Sequence, residues 1–248
     1  GDVKHIISLI TSSHTYRLSS KPSPQLLARD PENHFFARQN RYRLPAETIR
    51  DTALAVSGLL VDETGGTSIK PYQPVGYYRH LNFPQRTYGH HTDNRQWRRG
   101  VYVHWQRQFL HPMLRAFDAP SREECTAQRP RSNTPTAAMV MLNDPTFVEA
   151  ARVMAERVLR HGKNNGKANI DFAYQLALSR SPNDLEKEIL RGLIRTHLVE
   201  YKNDPDAAKQ LVAVGQAPVP DDLDPVSLAT WTAICRTLLN LDETITRY

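Results

Sequence analysis

The stretch NDPTFVEAARVMAERVLRHG, residues 143–162, predicts a long amphipathic helix and with it the class of the fold. Asp144 followed by Pro145 is typical of a helix start, because the aspartate accepts a hydrogen bond from the first turn and proline fits the first helical position. Gly162 is typical of a helix end. Apolar residues recur between them at helical spacing: Val148, Ala151, Ala155 and Val158. Such a face has to be buried against other elements.

The same signals predict helices along most of the chain. They are expected at residues 3–14, 25–27, 45–60, 98–111, 134–141, 168–180, 183–202 and 225–238. In the helix at 183–202, Leu185, Ile189 and Leu193 are predicted to point inward. No alternating apolar pattern is long enough for a sheet. The fold class is therefore all-α: an irregular multi-helix bundle, with two to four short strand pairs at most, on which a long loop region packs.

Composition divides the sequence into three parts. Residues 1–70 are an N-terminal helical part, residues 71–145 an unusual region rich in arginine, histidine and aromatic residues, and residues 146–248 a C-terminal helical part. A chain of 248 residues is long enough to bury a core. We expect one compact domain that is a fragment of a larger protein. No apolar run approaches the length of a membrane span, so none is predicted.

Residues 71–145 contain no lysine but ten arginines, five histidines and ten aromatic residues. Only five acidic residues accompany them, so this region carries a net charge of +5 out of +6 for the whole chain. Arginine suits bidentate contacts and stacking, whereas lysine is a mobile point charge. Two interpretations stay open: the arginines fix a long loop, or they bind an anionic ligand.

The basic composition, with a pI of about 9.4, does not indicate nucleic-acid binding. No helix-turn-helix or other binding signature is present, and lysine-poor charge is unusual for a surface that follows phosphates. Cys125 and Cys235 are too few for a disulfide framework or a structural zinc site and are expected to be free. The motif CxxCH is absent, so this chain attaches no c-type haem itself, and no cofactor is expected in it.

Four residues are candidates for catalysis: His104, His111, Asp118 and Cys125. Cationic neighbours would lower the pKa of the Cys125 thiol, and His104 or His111 could act as its base. Glu123 and Glu124 oppose this by raising the thiol pKa. Asp118 with one of these glutamates could form a carboxylate pair for acid–base catalysis. His104 and His111 would lie about 10 Å apart along a helix, too far for one metal ion, so no metal site is predicted.

The candidate ligand-binding residues are Arg98, Arg99, Trp105, Arg107, Arg122, Arg129, Arg131 and Asn133. The aromatic residues interleaved with them include Tyr72, Tyr77, Tyr78, Phe83, Tyr88, Trp97 and Tyr102. Aromatic rings among arginines could stack on sugars, bases or a porphyrin edge. They could equally anchor an irregular segment onto helices.

Short strings along the chain resemble a known family. They are DPEN (30–33), RYRL (41–44), PAE (45–47), AVSG (55–58), YRHLNFP (78–84), FDAP (117–120), REECT (122–126), NTP (133–135) and LNDP (142–145). Together they resemble a domain of unknown function at the C-terminus of large planctomycete proteins. There it follows cytochrome-c-like domains, a further planctomycete-specific domain and sometimes a lectin-like sandwich. The string TAA at 136–138 departs from the Leu-Gln-Ala that is more frequent in the family.

The resemblance implies an exported protein, in the periplasm or cell envelope, whose neighbouring domains carry c-type haem. It implies no reaction, because no catalytic residues are established for the family. The lectin-like neighbour suggests complex, often sulfated, polysaccharides. Two hypotheses follow. The first is a binding and assembly module for the other domains of the same polypeptide or for an anionic polysaccharide. The second is an enzyme domain, an oxidoreductase or a hydrolase, that acts on complex polysaccharide.

Overall fold

A computed structural model of the protein describes residues 1–80, 85–107, 109–163 and 165–247. Phe83 and most of the string at 78–84 lie outside these residues. In the part that is described, eleven α-helices and one two-stranded sheet are found, which confirms the all-α class. The chain forms two compact units, Gly1–Leu44 with the chain end from Ile245, and Pro45–Thr244. The three-part division at residues 70 and 145 stays a prediction.

The first unit contains α1 (Val3–Ser12), α2 (Pro24–Arg29) and an antiparallel pair of β1 (Tyr42–Arg43) and β2 (Thr246–Arg247). The string DPEN forms a turn that holds itself together. The carboxylate of Asp30 accepts hydrogen bonds from the backbone N–H groups of His34 and Phe35 at 2.8 and 2.9 Å. Asn33, at φ +58°, donates to the backbone oxygen of Arg38 at 2.8 Å.

The second unit contains most of the helices. They are α3 (Ala46–Ser57), α4 (Pro112–Ala116), α5 (Pro135–Asn143), α6 (Pro145–Gly162), α7 (Gly166–Leu178), α8 (Asp184–Asn203), α9 (Pro205–Val212), α10 (Pro225–Leu239) and α11 (Asp242–Ile245). Their starts follow the sequence signals. Asp144 accepts from the backbone N–H of Thr146, and Asn183 with Glu186 forms the reciprocal capping box.

Helix α6 lies at the centre of this unit and packs against α3, α5, α7 and α10. The apolar face predicted from the sequence is confirmed, since its four residues are at most 4% exposed: Val148, Ala151, Ala155 and Val158. Helix α10 is the second core helix, and packs against α6, α8 and α9. The helical spacing of Leu228, Trp231, Cys235 and Leu238 predicts its inner face, and these four residues are at most 6% exposed; Cys235 is a free thiol.

The helix predicted over residues 98–111 is wrong. Short 3-10 turns at Asn94–Trp97 and Gly100–Tyr102 replace it, and a helix begins only at Pro112. Parallel bridges to an upstream segment take the backbone groups instead, with Val61 opposite Arg98. Gly100 also lies against the backbone of α3, where a Cβ atom would come within 2.8 Å of Glu47. Tertiary contacts therefore override the local pattern.

The inward face predicted for α8 is also wrong. Leu185 and Ile189 are 66% and 54% exposed, whereas Leu190 is buried at 3%. Helix α8 packs against α10 and against α9, and α9 was not predicted from the sequence. The helix is thus rotated so that a neighbouring stripe faces the core.

A buried carboxylate on α6 holds two irregular segments in place. Glu149 is fully buried, and its Oε1 accepts from the backbone N–H groups of Gln216 and Ala217 at 2.7 and 2.6 Å. Its Oε2 accepts from the hydroxyl of Tyr72 and from Nε1 of Trp97, both at 3.1 Å. Because a buried carboxylate must be fully hydrogen-bonded, this residue fixes where both segments run.

Two buried arginines fix the region that follows Pro71 and the segment before it. Arg50 of α3 donates to the backbone oxygens of Gln96 and Arg98 at 2.5 Å each. Burial lowers its pKa to about 10, so it stays charged at neutral pH. Arg98 donates to the backbone oxygens of Glu63 and Thr67, both at 3.1 Å. These arginines bond to carbonyl oxygens of loops, which supports the interpretation of a loop fixed by arginine.

His111 is buried at the start of α4. Its Nε2 lies 2.8 Å from the backbone oxygen of Tyr72, and its Nδ1 has no hydrogen-bond partner among the described residues. Nε2 therefore carries the hydrogen and donates. Burial lowers the pKa of His111 to about 4, and the charge of Arg50 acts in the same direction. The imidazole is neutral at neutral pH.

Replacement of Glu149 by alanine is expected to lower the free energy of unfolding by at least about 3 kcal/mol, since each buried donor left without an acceptor costs about 1–3 kcal/mol. Urea denaturation measures this change. The matched control is Glu124→Ala on an exposed loop, expected to change stability by less than about 0.5 kcal/mol. Equal effects of the two substitutions would contradict the role assigned to Glu149.

The pKa of His111 predicts how stability depends on pH. The pKa in the unfolded chain, about 6.5, lies above the native value. Stability is therefore complete above about pH 6.5 and is lost as the pH falls, because the unfolded chain takes up a proton that the native state does not bind. Between about pH 7 and pH 4.5 this loss amounts to about 2–3 kcal/mol.

His111→Gln removes the titrating group and keeps a donor for Tyr72. Urea denaturation at several pH values should give a shallower decline for this variant than for the original protein. Protonation of carboxylates at low pH lowers the stability of both proteins alike, so the difference between the two curves isolates the contribution of His111. Parallel curves would show that His111 does not titrate as its burial requires.

Candidate functional site

The two candidate catalytic histidines occupy different surroundings. His111 is buried against Tyr72, as described above. His104 is half-buried, and its backbone N–H donates to the backbone oxygen of Ile69 at 2.7 Å. Burial lowers the pKa of His104, and the charges of Lys70 and Arg86 lower it further.

Asp118 and Cys125 lie on the long loop between α4 and α5. The carboxylate of Asp118 accepts from the backbone N–H and the hydroxyl of Ser132 at 2.7 and 2.9 Å, and so closes this loop. Cys125 is an exposed free thiol. Among the described residues no group of three His, Cys, Asp or Glu side chains could hold a metal ion. The described contacts of His104, His111 and Asp118 are therefore with different partners, and Cys125 lies at the surface.

Three of the candidate ligand-binding arginines make contacts within the fold. Arg98 is 2% exposed, and its guanidinium also covers the ring of Tyr102 at 4.2 Å. Arg99 forms an ion pair with Asp62 at 2.7 Å, and Arg129 forms one with Glu47 at 3.0 Å. Arg98 and Arg99 hold their segment to residues 62–67, and Arg129 holds the long loop onto α3.

The other candidates lie at the surface of the long loop or beside it. The guanidinium of Arg122 stacks on the ring of Trp105 at 3.9 Å, and Nε1 of Trp105 lies 3.3 Å from the backbone oxygen of Ser121. Arg107, Arg131 and Asn133 are exposed. The structure thus spreads the predicted ligand-binding set over several places and does not gather it into one groove.

A different set of side chains lines two depressions that share one turn, and we call their combined surface the basic aromatic face. A turn at residues 74–79 separates its two depressions, of about 340 and 480 Å³. Pro74 and Gly76 shape this turn, since Gly76 adopts φ +78° and Pro74 accepts from the backbone N–H of Tyr77 at 3.2 Å. The surrounding side chains are Gln73, Val75, Tyr77, Tyr78, Arg79, His80, Arg86, Thr87, Tyr88, His90, Phe109 and Arg115.

Aromatic rings support this face. Tyr77 and Phe109 meet edge to face with ring centroids 6.1 Å apart, and Tyr78 meets Tyr88 in the same way at 5.3 Å. The hydroxyl of Tyr77 donates to the backbone oxygen of Leu110 at 3.0 Å. Tyr77 and Phe109 remain half-exposed, so parts of their rings are open to a ligand.

The charge of the basic aromatic face is uniformly positive. No aspartate or glutamate is found among its described lining residues, which include Arg79, Arg86 and Arg115. Arg86 donates to the side-chain oxygen of Gln106 at 3.1 Å. Neither Arg79 nor Arg115 forms an ion pair with any residue that the structure describes. A surface of this kind attracts anions that also carry a flat apolar side.

The sequence held a signal for this face that the candidate set missed. Residues 64–92 contain no acidic residue at all. The aromatic residues of this run, Tyr77 and Tyr78 among them, are among those predicted to stack on a ligand, but the predicted ligand-binding residues do not include Arg79 and Arg86. The absence of acidic residues from this run identifies arginines that are not used in ion pairs within the fold.

Comparisons with known proteins identify the family and nothing finer. No match is found among curated proteins or among solved structures. In the described residues no helix is long and apolar enough to cross a membrane. A family model described as PSD1, protein of unknown function (DUF1553), matches residues 1–194, which is most of the chain. The chain therefore belongs to the PSD1 family of proteins of unknown function.

Proposed function

We propose that this protein is a binding and assembly module, and that its basic aromatic face binds an anionic polysaccharide. The observation that carries the proposal is the absence of acidic side chains from the described lining of that face, beside the guanidinium groups of Arg79 and Arg115, which form no ion pair with a described residue. Guanidinium groups bind sulfate and carboxylate through paired hydrogen bonds. Half-exposed rings such as Tyr77 and Phe109 suit the flat apolar side of a sugar.

The setting of this module is part of the same proposal. We infer that it is the C-terminal domain of a large exported planctomycete protein, in the periplasm or cell envelope. Its neighbours in the polypeptide would carry c-type haem, and they are the second kind of partner that the module would dock onto. The family strings from DPEN at 30–33 to LNDP at 142–145 support this setting.

The alternative is an enzyme domain, an oxidoreductase or hydrolase that acts on complex polysaccharide. No specific observation favours it. Its four candidate residues have separate surroundings: a buried neutral imidazole at His111, a half-buried one at His104, a loop-closing carboxylate at Asp118 and an exposed thiol at Cys125.

Isothermal titration calorimetry with a sulfated oligosaccharide and its unsulfated counterpart tests the proposal. We expect binding of the sulfated form alone, and weaker binding at high salt, because exposed charges are screened. The double variant R79A/R115A should bind about tenfold more weakly, since each exposed charged contact contributes about 1 kcal/mol or less.

The matched control is K202A/K209A, which removes two exposed positive charges from α8 and α9. It should retain the affinity of the original protein. Equal heats from both oligosaccharides, or equal losses in both double variants, would remove the proposed function. Both arginines are exposed, so neither substitution threatens the fold.

A further inference from the structure

A groove opens between α7 and α8 in the second unit. Helix α8 packs against α10, and α7 packs against α6 and α10, but α7 and α8 make little contact with each other. The gap between them has a volume of about 540 Å³, within the range of small-molecule sites. We call it the interhelical groove.

The floor of the interhelical groove is apolar. It consists of side chains from four helices: Leu159 of α6, Ile170 of α7, Ile194 and Leu198 of α8, and Trp231 of α10. Trp231 and Ile170 are at most 6% exposed, so the floor belongs to the packed core and keeps its shape. An apolar ligand would therefore remove additional apolar surface from water without rearrangement of the core.

The rim of the groove is basic. Lys163 and Lys167 lie on one side, and Arg191 and Arg195 lie on the other. None of these four cations forms an ion pair with a residue that the structure describes, and the described lining has a single carboxylate, Glu188.

Two other arginines of the second unit differ from this rim, since Arg152 and Arg180 are bound to glutamates. Arg191 and Arg195 stand four apart on α8, a spacing at which like charges destabilise a helix. Four cations that form no ion pair with a described residue, above an apolar floor, are complementary to a ligand with an anionic head and an apolar body.

We propose that the interhelical groove binds a single-chain anionic amphiphile, namely a medium-chain fatty acid whose carboxylate lies between Arg191, Arg195 and the two lysines. The α8 side of the groove, from Glu188 to Leu198, extends about 15 Å along the helix. The groove shares no residue with the basic aromatic face, so this site is additional to the proposed function.

An acidic amphipathic helix of a partner protein is the competing occupant. Such a helix has a diameter of about 10–12 Å with its side chains. A volume of about 540 Å³ is that of a small-molecule site, which favours a single acyl chain over a helix as the occupant.

Titration calorimetry with dodecanoate, below its micelle concentration, tests the site. Dodecanol supplies the same chain without the charge, and acetate supplies the charge without the chain. We expect dodecanoate to bind, dodecanol to bind at least about tenfold more weakly, and acetate to give no heat. Fluorescence of Trp231, at the floor of the groove, should shift with dodecanoate.

Charge reversal in R191E/R195E should weaken dodecanoate binding by about tenfold or more. Both positions are exposed, and thermal unfolding checks that the variant is folded. The control K202E/K209E makes the same charge change outside the groove and should leave the affinity unchanged. Leu198→Asp, which places a charge on the floor, should also weaken binding.

Three results would overturn the proposal. They are the absence of dodecanoate binding, equal affinities of the R191E/R195E and K202E/K209E variants, and binding of an acidic amphipathic peptide without binding of dodecanoate. Because the oligosaccharide titration uses variants of other residues, failure of this site leaves the basic aromatic face untouched, and the reverse holds too.

Discussion

The structure of the second unit depends on one buried carboxylate. The Glu149 side chain can lie inside the core because four donors surround it, and these donors come from segments far apart in the sequence. The segment after Pro71 and the one before α10 are irregular, and neither could fix its own path. Glu149 gives both of them a common fixed point on α6, and the carbonyl contacts of Arg50 extend that order to the segment around Arg98.

The buried faces of the central helices could be predicted from the sequence, whereas the buried face of α8 could not. The stripes on α6 and α10 are complete and wide, so periodicity alone identified their buried sides. On α8 two overlapping stripes compete, and only the positions of α9 and α10 decide that Leu190 turns inward. At residues 98–111 the apolar spacing is helical, but parallel bridges at Arg98 and Val103 take backbone groups that a helix would need.

The same limit applies to the sites. Composition identified the region in which arginines fix the backbone. It could not predict which guanidinium groups are bound within the fold and which remain at the surface. Arg98 donates its hydrogen bonds to carbonyl oxygens of loops. Arg79 was not among the predicted ligand-binding residues, yet its guanidinium lies at an open surface. The interhelical groove left no local signal, because its floor comes from four helices between Leu159 and Trp231.

The donors of Glu149 have a consequence for where a PSD1 domain ends. The family model stops at residue 194. A polypeptide that ended there would lack Gln216 and Ala217, two of the four donors, and would lack α10, which covers much of α6. Its core helix would keep a buried carboxylate with half its donors and an apolar face open to water. The segment that the family model matches is therefore shorter than the part of the chain that packs together here, which extends through α10.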